Sequence, residues 1–121
     1  MIKNYDKINS TYVKDSEAQC DLVVEYLSKI GVKAIEYKDS YFTYETQTVK
    51  YNCLSLLLHE AGHAVLQHKP QFFESKIIRS DKEQLLVEIE AWEKAVEIMN
   101  ELKISDCNFK INLKECLETY Q

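Results

Sequence analysis

Apolar positions follow two rhythms along this chain, one near 3.6 residues and one near 2, and the changes between them divide it into elements. Residues 1–14 are polar and tyrosine-bearing without a clear period, and they read as an irregular lead-in. Asp15 or Ser16 can cap a helix in which Val23, Tyr26, Leu27 and Ile30 share one face and Gly31 provides the stop. Val32 to Lys38 then alternates apolar with polar, Asp39-Ser40 is a turn signal, and Tyr41 to Thr48 is rich in Tyr, Phe and Thr. Together these segments predict a β-hairpin. From about Val49 the helical rhythm returns through Tyr51, Leu54, Leu57, Leu58, Ala61, Val65 and Leu66, until Lys69-Pro70 breaks it.

Residues 70–80 read as a connection, after which Ser80 or Asp81 can cap a long helix from about Lys82 to Leu102. Ile104 to Lys110 is a second connector. A last short helix is expected after Asn112, with Leu113, Cys116, Leu117 and Tyr120 on its apolar face. The expected fold is α+β and mostly helical, one small domain over residues 1–121. A short hairpin or sheet packs beside one central helix and a second long one, with the chemistry concentrated in residues 49–102.

Composition narrows the function classes. An apolar fraction of 45% with two glycines and one proline is globular and helix-leaning, and 121 residues can hold a core without disulfides. The net charge is −5, and of fifteen basic residues all but Arg79 are lysines, which leaves little for bidentate reading of bases or phosphates. Nucleic acid is therefore not an expected partner. Neither is a membrane: no segment reaches the ~18 apolar residues of a span, and the N-terminus lacks the apolar core of a signal peptide. Cys20, Cys53, Cys107 and Cys116 are dispersed and form no C-x-x-C pair, so reduced, mostly buried thiols in the cytoplasm are expected.

The second predicted helix carries Leu58-His59-Glu60-Ala61-Gly62-His63-Ala64. Residues four apart on a helix lie one above the other, so His59 and His63 can turn two imidazole nitrogens to one point, which is half of a tetrahedral zinc site. Glu60 projects about 100° further round the helix. From there it does not ligate the same ion but stands beside water on the metal, whose pKa zinc lowers to roughly 7, and it is the candidate general base. The apolar run Cys53 to Leu58 leads into this stretch, so the helix is expected to be buried, and buried His and Glu need partners.

A catalytic site needs a third protein ligand. The following helix offers Glu88, Glu90, Glu93 and Glu97. Steps of three and four from Leu85 give Glu88, Ala91, Trp92, Ala95 and Met99, a stripe that is apolar except at Glu88, while Glu90, Glu93, Lys94 and Glu97 gather on a charged side. A carboxylate in an apolar stripe is costly unless it is paired or metal-bound, which makes Glu88 the third ligand and Glu90 the reserve. Ala61, Gly62, Ala64, Ala91 and Ala95 are small enough to let the two helix axes approach, and Trp92 reads as core filler. His68 is off register for a third ligand and reads as a solvated helix end favoured by the dipole. It shares with Tyr51 the alternative role of donor to the oxyanion.

HEAGH (59–63) followed by EIEAW (88–92) resembles the gluzincin clan of zinc metallopeptidases, and most of all the small ImmA/IrrE-type peptidases of phages, mobile elements and bacterial stress regulation. The resemblance spans roughly Leu54 to Met99. It implies His59, His63 and Glu88 as Zn2+ ligands, Glu60 as general base, and a strand edge ahead of the first motif along which a peptide or protein substrate lies. Where such peptidases often carry Asp or Asn after the Ala of Glu-x-x-Ala, this chain has Trp92, so the hydrogen bond that residue makes behind the ligands is unassigned. The expected activity is zinc-dependent peptide-bond hydrolysis directed at a regulatory protein; the alternative is a zinc-bearing protein-binding module that cuts nothing.

Overall fold

The structure is a computed structural model that describes residues 2–69, 72–73, 76–77 and 81–119. Pro70, Ser80 and Tyr120, expected above as breaker, cap and apolar-face residue, lie outside the described residues. Helix α1 (Ser16–Ser28) begins where the Asp15 carboxylate accepts from the Ala18 backbone N–H at 3.2 Å, and Gly31 at φ 81° follows its end. Val23 and Leu27 are its buried residues. The lead-in is not idle, because Ile2 and Ile8 on either side of a 3-10 turn at Tyr5–Lys7 enter the core.

Three strands follow: β1 (Lys33–Glu36), β2 (Tyr41–Thr43) and β3 (Thr48–Tyr51), in the order β1-β3-β2. The expected hairpin between residues 32–38 and 41–48 does not form. Instead β1 runs parallel to β3, and the antiparallel pair joins β2 to β3 through Tyr44 to Gln47, with Gln47 left-handed at φ 49°. The Asp39-Ser40 signal serves another purpose: Asn52 donates to the Lys38 carbonyl at 3.0 Å and its backbone N–H donates to the Ser40 hydroxyl at 3.1 Å. That clasp fastens residues 38–40 to the far end of β3. Thr48–Tyr51, placed partly in a helix by periodicity, alternates half-buried with buried and so obeys the two-residue rhythm of a strand.

Helix α2 (Leu54–Val65) therefore starts later than expected, and it also stops earlier. Gln67 turns left-handed at φ 53°, its N–H bonds to the Ala64 carbonyl, and the His68 N–H bonds back to His63 O at 2.9 Å. This is a Schellman stop with Gln in the place usually taken by Gly, helped by the Gln67 side-chain amide on Ala64 O at 2.7 Å. Strands β4 (Phe72–Phe73) and β5 (Lys76–Ile77) pair antiparallel within the segment expected to be a plain connection. Helix α3 (Asp81–Glu101) matches the long helix. Helix α4 (Phe109–Glu118) begins earlier than expected, because Phe109 is fully buried and extends the apolar face back by one turn.

The result is an α+β, mostly helical fold built round α2, which touches α1, β2, β3, α3 and α4. Nine of its twelve residues are buried. Leu57 and Leu58 are fully buried in it, each stabilising the fold by about 1.5–3 kcal/mol relative to an exposed side chain. Further along the helix, α2 meets α3 at Gly62, where an added Cβ would sit 2.1 Å from the Ala91 carbonyl oxygen. The two backbones are as close as they are because residue 62 has no side chain. Among the described residues, no helix is long and apolar enough to cross a membrane.

Candidate metal centre

Helix α2 presents His59 and His63 on the face that meets α3, and close packing at Gly62 brings Glu88 of α3 between them. One Glu88 oxygen, Oε2, lies 2.7 Å from His63 Nε2 and 3.3 Å from His59 Nε2. Glu88 and His59 are buried, at 7% and 4% exposure, so this is an interior polar cluster and not a chance surface pairing. Two imidazole nitrogens and a carboxylate oxygen form a donor set suited to zinc. Bonds of about 2.0–2.2 Å to one tetrahedral ion separate donors by about 3.3–3.6 Å; the Glu88–His59 spacing matches that, and the Glu88–His63 spacing would have to open.

The rest of the cluster orients these donors. The indole of Trp92 stacks flat on the His59 ring, with centroids 4.2 Å apart and planes 6° from parallel. Glu60, 6% exposed, places Oε2 at 3.2 Å from His59 Nδ1, the ring nitrogen on the other side from the Nε2 that meets Glu88, and not directly beside the Glu88 oxygen as the general-base expectation would have it. Donor atoms of His59, Glu60 and His63 also lie within 4.8 Å of one another. On the other imidazole, His63 Nδ1 meets His68 Nδ1 at 2.9 Å. If the His63 nitrogen donates there, its Nε2 keeps a lone pair turned to Glu88 and free for a cation.

His68 thus departs from its expected place as a solvated helix end. The Schellman stop bonds its backbone to His63, the chain reverses, and its ring folds over His63 at a centroid distance of 5.1 Å. Tyr51 departs from the site altogether. It is 7% exposed and faces α1, where burial and then the neighbouring Cys20 and Glu36 push its hydroxyl pKa up. Glu90, the reserve ligand, is exposed on the outer side of α3, Glu93 accepts from the Lys3 backbone N–H, and Glu97 pairs with Lys94. Periodicity had separated Glu88 from these three on the same ground.

Electrostatics describe the cluster without a cation. Burial alone would lower the His59 pKa, but the Glu60 and Glu88 carboxylates outweigh it and hold it at about 9. Burial would raise Glu88, and its bonds to His59 and His63 reverse that and drive it far below the usual carboxylate range. The pocket thus holds an imidazolium beside an ionised carboxylate, and a divalent cation must displace a proton to enter.

One further donor was not singled out from the sequence. Cys116 of α4 offers a sulfur that lies, with donor atoms of His59 and Glu88, within a mutual 4.8 Å. Its position on an apolar face was legible, but no local signal says that α4 docks across α2 and α3. The four cysteines are free thiols but not mostly buried as expected: Cys20 and Cys116 are half-buried, and Cys53 and Cys107, just ahead of α2 and α4, are exposed. Compared with protein-family models, with curated proteins and with solved structures, the chain has no match.

Proposed function

We propose that this protein is a zinc-dependent metallopeptidase of the gluzincin kind, akin to the ImmA/IrrE-type enzymes, and that it acts on a protein or peptide in the cytoplasm. The observation that carries the reading is the convergence of His59 Nε2 and His63 Nε2 on a single Glu88 oxygen in a buried pocket. His59, His63 and Glu88 would hold the ion. Bound there, zinc supplies Lewis acidity, polarising a peptide carbonyl and making water acidic enough to lose a proton near neutral pH.

The remaining work falls to the chain's own groups. Glu60, turning from His59 Nδ1 to the open position, would take the proton from the attacking water on its carboxylate and return it to the leaving amine nitrogen. His68 keeps His63 in the ligating tautomer, and Trp92 holds the His59 ring by its face.

A peptide has a natural place to lie. Among the described residues, strand β2 is paired on one side only, with β3, and its other edge could take main-chain hydrogen bonds. The turn after β2 is tied to the end of α2 by reciprocal amide bonds between Gln47 and Gln67 at 3.0 and 2.8 Å, so this edge runs towards the end of α2 that carries His63 and His68.

The test combines elemental analysis with cleavage of casein as an unstructured probe. Wild type is expected to hold one zinc per chain and to cut; Glu60→Gln keeps the zinc and loses hydrolysis by two to four orders of magnitude, on the order of the 10²–10⁴-fold contribution of a general base. His63→Ala loses both. Wild type and Glu60→Gln that both hold zinc and are equally inert would leave a zinc-bearing binding module as the better description.

A further inference from the structure

Three ligands account for α2 and α3 but leave the docking of α4 without a purpose. Phe109, Asn112, Leu113 and Cys116 follow one another at helical spacing and share a face. Phe109 meets Trp92 edge-on at 5.2 Å, the Asn112 amide donates to the Ser55 hydroxyl on α2, and Leu113 is buried. These contacts lay α4 across the seam between α2 and α3. They bring the Cys116 sulfur within 4.8 Å of donor atoms of both His59 and Glu88, on the side where it senses the charges of Glu88 and Glu60.

Trp92 adds an independent observation. Its ring is fully buried, yet its Nε1–H has no hydrogen-bond acceptor among the described residues. A buried indole N–H ordinarily finds one. Cys116 is the neighbour whose charge it affects: burial, with Glu88 and Glu60, pushes the thiol up to about 11, and the Trp92 N–H works against them in favour of the thiolate.

Resting on the metal site proposed above, we infer that Cys116 supplies a thiolate as fourth donor to the cation held by His59, His63 and Glu88, steadied by the Trp92 indole N–H. Ligation exchanges the S–H bond for a sulfur–metal bond and releases one proton to solvent, with no change of oxidation state. The consequence follows from coordination number. Four protein ligands make a closed zinc site, whereas a hydrolytic site keeps one position for water. A thiolate held there would compete with water for the open position, so wild type would turn over only when the sulfur yields it, and the site is largely latent while α4 is seated.

Cobalt(II) titration of the full, metal-stripped chain tests this by its optical spectrum. Wild type is expected to show a near-ultraviolet thiolate-to-cobalt charge-transfer band that rises to one equivalent, and Cys116→Ser is expected to bind cobalt without that band. Under zinc, Cys116→Ser is expected to cleave casein faster than wild type. Stoichiometric cobalt in wild type without the band overturns the fourth ligand and leaves the three-ligand site standing, as does a band that persists in Cys116→Ser. No cobalt bound at all removes both readings. Cleavage by Cys116→Ser that is no faster than by wild type overturns the latency. If that variant fails to fold, the wild-type spectrum still decides the ligand.

Discussion

His59 shows how much chemistry one buried side chain concentrates. Its ring is stacked by Trp92 and flanked by Glu60 at Nδ1 and Glu88 at Nε2, and the two carboxylates raise its pKa from 6.5 to about 9. Because the folded value lies above the unfolded one, His59 contributes its full stability below 6.5, and that contribution is lost as pH rises through about 9. Glu88 has the opposite sign. Its folded pKa is below 4.5, so its contribution is full above 4.5 and is lost as pH falls. The metal-free protein is therefore expected to be most stable between these limits. Zinc held by His59 would reverse the trend, because it would require His59 deprotonated and compete with a proton. Thermal melts with chelator and with zinc at about pH 5.5 and about pH 9 check this: the stabilisation by zinc should be small at the lower pH and larger at the higher. Equal stabilisation at both would mean that His59 is not a ligand.

At the scale of elements, the site depends on how closely α2 and α3 pack, and Gly62 sets that distance. A mid-helix glycine ordinarily costs up to about 1 kcal/mol relative to alanine, so Gly62→Ala would be expected to stabilise an isolated helix. Here the new Cβ would meet the Ala91 carbonyl at 2.1 Å, and backbone cannot swing aside as a side chain can. The helices must separate, at a cost of roughly 1–3 kcal/mol, and Glu88 is carried away from His59 and His63 with them. Gly62→Ala is expected to lower both the unfolding free energy in urea and the zinc affinity measured by competition with a chromophoric chelator. A variant with wild-type affinity would show that α3 has slack that the contact denies. The ends of α2 matter in the same way, since the stop at Gln67 is what folds His68 onto His63.

For the whole molecule, the metal should behave as part of the core. The proposed ligands come from two helices separated in sequence, so the unfolded chain would have no preformed site, and binding free energy would become folding free energy. Zinc at a thousand times its dissociation constant would add about 4 kcal/mol. Glu88→Ala should abolish that increment in a thermal melt, whereas Glu90→Ala, altering an exposed carboxylate, should retain it. A Glu90→Ala protein that loses the increment would move the third ligand to residue 90.

The sequence by itself determined what local rules can reach. The i, i+4 spacing of His59 and His63, the isolation of Glu88 in an apolar stripe, the cap at Asp15 and the extent of α3 are all consequences of helical geometry and burial within one element. Tertiary structure alone decided which elements meet. Strand pairing is settled between segments, and so β1 chose β3 over the neighbour that Asp39-Ser40 suggested. His68 came to His63 through a left-handed Gln67, and left-handed residues other than glycine carry little signal in sequence. Cys116 came to His59 and Glu88 because Phe109 docks on Trp92, a match of shapes between helices that no periodicity within α4 encodes.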